Sequence, residues 1–221
     1  MTTKLLLNFL ATKLLLKYFF KYFPQIPYFC KKNLLKKMSK KPKNPIIKEV
    51  FGKNYIVKNG RKLPIYKCLI SEEAGLVTMI LIRRLPNGNF AFGSYMVDTY
   101  CLGLKSTTFK IDLSMDGLED LLEEFSYGVG TMQECTYATI HNWVYGGIAY
   151  AQDLGFKPDS DFNMTKFFLE EDTEDVELIE FEFGMDGRPH YFSGPYDNVQ
   201  KILDTLKKNV GEDNFDFTDL G

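Results

Sequence analysis

Two apolar runs dominate the chain. Residues 75–84, GLVTMILIRR, and 89–98, NFAFGSYMVD, are apolar at both alternating sets of positions. Such runs, rich in β-branched and aromatic side chains, predict strands covered on both faces. Between them Pro86-Asn87-Gly88 supplies a reversal, because Asn-Gly readily accepts positive φ. The pattern therefore predicts a hairpin at the centre of a sheet, with helices on its faces. Residues 65–70 predict an earlier strand, and 106–112 a further one.

A helical period follows. Residues 116–125 predict a short acidic helix, and 135–154 a longer one with Tyr137, Ile140, Val144, Ile148 and Ala151 on one face. Gly146 and Gly147 weaken that helix intrinsically and predict close approach to the sheet. Its end is marked by Gly155 for a left-handed cap, Phe156 for the accompanying apolar contact and Pro158 as a stop. Glu170, Glu171, Asp172, Glu174, Asp175 and Glu177 then predict an exposed loop.

Beyond it, ELIEFEF alternates Ile179, Phe181 and Phe183 with Glu180 and Glu182. With a turn at GMDG and the return RPHYFS, this predicts a second hairpin with one wet face. Pro189 confines the return strand to an edge. A last helix follows Gly194-Pro195, with Asp197 near its start. Its stripe is Val199, Ile202, Leu203, Leu206 and Val210, and Gly211 ends it. The expected body, residues 46–221, is one α+β domain: a mainly antiparallel sheet of two hairpins with three helices.

Residues 1–45 read differently. Lys4, Asn8, Lys13, Lys17 and Lys21 recur every four or five positions among Leu and Phe, which predicts a basic amphipathic helix over 4–23. A lysine in every turn or so is too frequent for a membrane span or for the apolar centre of a signal peptide. Such a helix suits peripheral contact with an anionic membrane surface. The stretch 39–45, SKKPKNP, reads as a linker. Met38 offers an alternative start, and Lys, Leu, Phe, Tyr and Asn enrichment is what AT-rich upstream DNA yields on translation. The segment is read either as an accessory arm or as no part of the native protein.

Charge sharpens the division. Residues 1–50 carry 12 Lys against the single acid Glu49, or +11, while residues 51–221 carry 15 Lys and Arg against 28 Asp and Glu, or −13. An acidic body argues against nucleic-acid binding, which needs clustered Lys and Arg. Its surface suits solvation or a protein partner. The four cysteines, Cys30, Cys68, Cys101 and Cys135, lie far apart and only two histidines are present. Neither a zinc framework nor a disulfide scaffold is expected, and reduced thiols suit a cytosol.

Candidate chemistry centres on 93–105, GSYMVDTYCLGLK. Polar groups just past a core strand are where sites are commonly built. Cys101 near Lys105 is a candidate thiolate, since a neighbouring ammonium favours the charged form. Asp98 is a candidate base or metal ligand. His141 joins them if its helix ridge faces Cys101. The alternative is structural: Asp98 bonds turn backbone, Cys101 fills core space, Lys105 is solvated, and His141 and His190 are hydrogen-bonded packing residues. The run Tyr127-Gly128-Val129-Gly130 is a weak phosphate-loop signal. The common nucleotide-binding, hydrolase and zinc-protease motifs are absent from the sequence.

Pro64–Ile70, the Asn-Gly hairpin, the segment Tyr95–Lys105 (YMVDTYCLGLK), Tyr145-Gly146 with Ala149–Phe156, and Phe183–Pro195 resemble a group of uncharacterised bacterial proteins. The resemblance spans roughly residues 64–218 and implies a bacterial cytosolic domain without an assigned activity or cofactor. The leading expectation is a binding or regulatory protein with an acidic surface. The alternative is a small hydrolase or transferase using Asp98 and Cys101 with Lys105 and His141.

Overall fold

A computed structural model describes residues 51–73, 75–173 and 175–220. These belong to one compact unit, Lys48–Gly221. The amphipathic helix expected at 4–23 and the linker at 39–45 lie outside the described residues.

The centre is a five-stranded antiparallel sheet of β1 (Ile65–Glu73), β2 (Leu76–Arg84), β3 (Phe90–Asp98), β4 (Gly103–Leu113) and β5 (Gln133–Glu134), in the order β4-β3-β2-β1-β5. The expected central hairpin is β2–β3. At its turn Leu85 N–H donates to the Asn89 carbonyl at 2.8 Å, and Gly88 takes φ +85. Both faces of this hairpin are covered, as its two-sided apolar pattern predicts. Val77, Met79, Leu81 and Tyr95 join Ile140, Val144 and Ile148 of the long helix on one face. Ile80, Ile82, Phe90 and Phe92 meet Leu118 on the other. Full burial of each such side chain contributes about 1.5–3 kcal/mol.

The three expected helices are present, and among the described residues two short ones are added. In chain order they are α1 (Lys53–Asn59), α2 (Met115–Val129), α3 (Tyr137–Asp153), α4 (Phe162–Thr165) and α5 (Val199–Asn209). Helix α3 is capped by Thr136, whose hydroxyl accepts from Thr139 N–H at 3.1 Å. Its other end closes as predicted: Gly155, at φ +90, donates to Gln152 O at 2.9 Å, and Phe156 N–H donates to Ala151 O at 2.8 Å. These are the two bonds that satisfy orphan carbonyls at a glycine-terminated helix. Gly147 does bring the helix onto the sheet, since a Cβ there would lie 2.6 Å from Val97 Cγ1. Among the described residues no helix is long and apolar enough to cross a membrane.

The second hairpin is not formed. The Met185–Arg188 turn exists, with Asp186 at φ +53 and Gly187 at φ +76, but residues 178–183 join no strand. The predicted alternation is real; its partner is a helix. Phe181 lies flat on Trp143 of α3 at 3.9 Å between ring centroids, and Phe183 stacks on Tyr150 at 5.3 Å, while Glu180 and Glu182 face solvent. Gly184 N–H and His190 N–H instead bond Thr99 O and Tyr100 O. The return segment supplies β6 (His190–Phe192), which pairs in parallel with β7 (Asp216–Thr218). Parallel neighbours need a crossover, and α5 provides it. The α5 stripe packs on Cys101, Leu154 and Tyr191.

Candidate functional site

Asp98 ends β3 and Gly103 opens β4, so the segment 98–105 is the bend between two core strands. Asp98 is buried, and its Oδ1 accepts from the N–H groups of Tyr100 and Cys101, each at 3.0 Å. Burial pushes the carboxyl above its ordinary range, against the backbone N–H groups and the Lys105 charge. Gly103 takes φ +62 and sits so close to α3 that a Cβ would lie 2.3 Å from Gly147 O. The bend is therefore set by one carboxylate and one glycine.

Cys101 is fully buried among Leu154, Tyr191 and Leu206. Burial, and then the Asp98 charge, push its thiol up to about 12 against the pull of Lys105. A thiol so placed is neutral and shielded near neutral pH. Lys105 reaches Asp197 at 3.0 Å, and the same Asp197 Oδ2 accepts from Gly194 N–H at 2.9 Å and Tyr191 O–H at 3.2 Å. Desolvation works against the Asp197 carboxylate, but these donors, Lys105 foremost, hold its pKa below the ordinary value. Asp98, Cys101 and Lys105 thus share a neighbourhood: the Asp98 bonds close the bend on itself, and the Lys105–Asp197 bond fastens it to the segment before α5.

His141 belongs elsewhere. It lies six and ten residues before Gly147 and Ala151 on α3, about 9 and 15 Å along the axis, and those two residues are where Gly103 packs. His141 is buried between Tyr137 and Tyr145, with Nε2 3.4 Å from the Glu171 carbonyl oxygen. His190 stacks on Phe192 at 4.2 Å, and its Nε2 lies 2.8 Å from Thr218 Oγ1. The run Tyr127–Gly130 ends α2 rather than opening a helix, with Gly130 at φ +73. Phosphate prefers the positive, N-terminal end of a helix, so this run offers it carbonyl oxygens instead. Among the described residues no three His, Cys, Asp or Glu side chains converge as metal ligands.

No protein-family profile, curated protein or solved structure matches the chain. Its own geometry singles out three features.

The first is Arg83, which is 2% exposed on the α3 face of β2. Its Nε donates to Phe168 O at 2.9 Å and its Nη1 to Leu63 O at 2.5 Å, and the guanidinium lies 5.5 Å from the centre of the Tyr137 ring. Among the described residues Nη2 has no hydrogen-bond partner. The second is an open cavity of about 490 Å³ at the β1–β5 edge, with Lys67, Cys68, Glu134, Cys135 and Tyr137 in its walls. The third is a strap along α3 made of residues 170–173 and 175–183. Tyr145 O–H donates to Glu170 O at 3.0 Å, Asn142 Nδ2 to Glu177 O at 2.8 Å, and Phe181 covers Trp143. Asp172, Asp175, Glu177, Glu180 and Glu182 all point outward, and none of them forms an ion pair among the described residues.

Of these features, only the acidity of the strap is legible in the sequence. Arg83 stands beside Arg84 at a strand end, and nothing in that pair says which one is enclosed.

Proposed function

We propose that the protein is a binding or regulatory module that takes a partner rich in lysine and arginine on the strap. The observation that carries this reading is the pairing of five exposed carboxylates, none of them in an ion pair among the described residues, with an apolar anchor. Mutual repulsion of like charges would open a free acidic loop, but Phe181 and Phe183 hold this one against α3. A fixed row of carboxylates meets a cationic surface without the full ordering cost that a loose tail pays. Its field reaches about 8 Å in physiological salt, so association is steered and salt-sensitive. The setting we infer is a bacterial cytosol, on the strength of the resemblance over residues 64–218 and the suitability of free thiols to a reducing compartment.

The test is capture of lysate proteins by the full chain at low and high salt. It is set against a variant with Asp172 and Asp175 changed to Asn and Glu177, Glu180 and Glu182 changed to Gln. The reading expects salt-sensitive capture of basic proteins that falls at least tenfold in the variant, with thermal stability kept. Equal capture by both proteins would end it.

A further inference from the structure

The fold brings together two cysteines that the sequence keeps far apart. In the β1–β5 ladder Leu69 faces Glu134 and Ile70 faces Gln133, so the next opposed position pairs Cys68 with Cys135. The ladder continues to that point: Cys135 N–H donates to Cys68 O at 3.1 Å. Directly opposed residues project to the same face, and hydrogen-bonded pairs have Cα atoms about 5.5 Å apart. That separation falls inside the range a disulfide spans, roughly 4.4–6.8 Å. The Lys67–Glu134 ion pair, at 2.8 Å, holds the same two strands together beside the thiols. Both cysteines are free, and both line the open cavity. Cys135 is the more exposed of the two.

We propose that Cys68 and Cys135 form a reversible dithiol–disulfide site, oxidised by a small-molecule disulfide such as oxidised glutathione entering through this cavity. The Cys135 sulfur, as thiolate, attacks one sulfur of the reagent. The reagent's S–S bond breaks, one glutathione leaves and takes up the proton, and a mixed disulfide remains. The Cys68 sulfur then attacks the Cys135 sulfur, and the second glutathione leaves with the Cys68 proton. Two protein thiols lose two electrons, and one oxidised glutathione becomes two reduced ones. Arg83 sits on the same sheet face, one strand over and diagonal to Cys68 through the Cys68–Leu81 pair. Its charge opposes the burial that pushes the Cys68 thiol up to about 11, and so assists the second attack. The Cys135 thiol, pushed up to about 12 by burial, makes the first step slow, because the thiolate is the attacking species. The bond would tie β1 to the segment leading into α3, two residues before Tyr137. Tyr137 is the residue whose hydroxyl accepts from Glu170 N–H at 2.7 Å at the head of the strap.

The test incubates the folded full chain with mixtures of reduced and oxidised glutathione, blocks free thiols, and maps the products by mass spectrometry. The expected product is a Cys68–Cys135 cross-linked peptide that dithiothreitol reverses, with labelling of Cys135 reduced at least tenfold. In Cys68→Ser, Cys135 should accumulate as the mixed disulfide with glutathione, because nothing displaces the second one. Unchanged labelling of both thiols, a linkage to Cys30, or a Cys68–Cys135 linkage that forms only in denaturant would each overturn the proposal. The mapping of the wild-type chain stands whether or not the variant folds.

Discussion

Lys105 Nζ lies 3.0 Å from Asp197 Oδ2, joining β4 to the segment before α5 across 92 residues of sequence. Both side chains are largely shielded, at 26% and 13% exposed, so the pair is stronger than a solvated surface bridge. Asp197→Asn should cost about 1–2 kcal/mol at neutral pH, from the loss of charge-assisted bonds on a partly exposed pair. Because the folded pKa of Asp197 is held below its unfolded value, its contribution is present above the unfolded pKa. It is lost as pH falls through the folded one. Chemical denaturation across the acid range should show that loss in the wild type, and the Asn variant should lack it.

Asp98 has the opposite sign. Its folded pKa is raised, so its contribution is full below the unfolded pKa and disappears as pH rises through the folded value. Asp98→Asn keeps an acceptor oxygen for the Tyr100 and Cys101 N–H groups and removes the buried charge. It should lie within about 1 kcal/mol of wild type at neutral pH, whereas Asp98→Ala, which abandons those donors, should cost about 1.5–3 kcal/mol. Paired denaturation curves at neutral pH decide this. An Asn variant as damaged as the Ala variant would mean that the charge itself holds the bend.

Elements whose partner is close in sequence were legible, and those that depend on a distant partner were not. The α3 cap at Gly155–Phe156 and the turn at Gly88 are local backbone chemistry, and both sit where the pattern placed them. Ile179, Phe181 and Phe183 alternate as in a half-buried strand, but period 2 says only that one face is covered and cannot tell a strand from Trp143 and Tyr150 on a helix. For the site, the bend 98–105 was visible as polar residues following a core strand. Its pairing with Asp197, the enclosure of Arg83 and the meeting of Cys68 with Cys135 all depend on which strands become neighbours, and no spacing encodes that.

Gly103 and Gly147 should differ in how badly they tolerate a methyl group. Gly147→Ala gains about 1 kcal/mol of helix propensity. It also places its Cβ 2.6 Å from Val97 Cγ1, and overpacking of that kind costs about 1–3 kcal/mol. The net effect is a loss of up to about 2 kcal/mol. Gly103→Ala has no offset: φ is +62 and the clash is with backbone, Gly147 O. A left-handed conformation adds about 1–2 kcal/mol for an L-residue, so Gly103→Ala should be the more destabilised of the two in thermal melts.

Cys101 should react with thiol reagents only when the fold opens. It is fully buried and its thiol is pushed up to about 12, so two factors suppress the thiolate encounter. Labelling should run far slower than for a free cysteine and should accelerate with denaturant in step with unfolding. Rapid labelling in the folded chain would instead restore Cys101 as a candidate nucleophile.

Trp143 is the only tryptophan in the chain, so its fluorescence reports on one place, where the strap meets α3 and the core. Phe181 covers one face of the indole at 3.9 Å and 9° between planes, and Phe183 meets it edge-on at 5.5 Å. Phe181→Ala removes the stacked ring and admits water to that face. Aromatic pairs contribute about 0.5–1.5 kcal/mol beyond area burial, and Phe181 is only partly buried, so the total loss should be about 1–3 kcal/mol. Trp143 emission should shift to longer wavelength while far-ultraviolet circular dichroism stays unchanged, because α3 keeps its caps and its sheet contacts. The acidic row should loosen at the same time, so the salt-sensitive capture attributed to the strap should weaken although every carboxylate is still present. An unshifted spectrum would mean that the strap does not lean on Trp143 in solution.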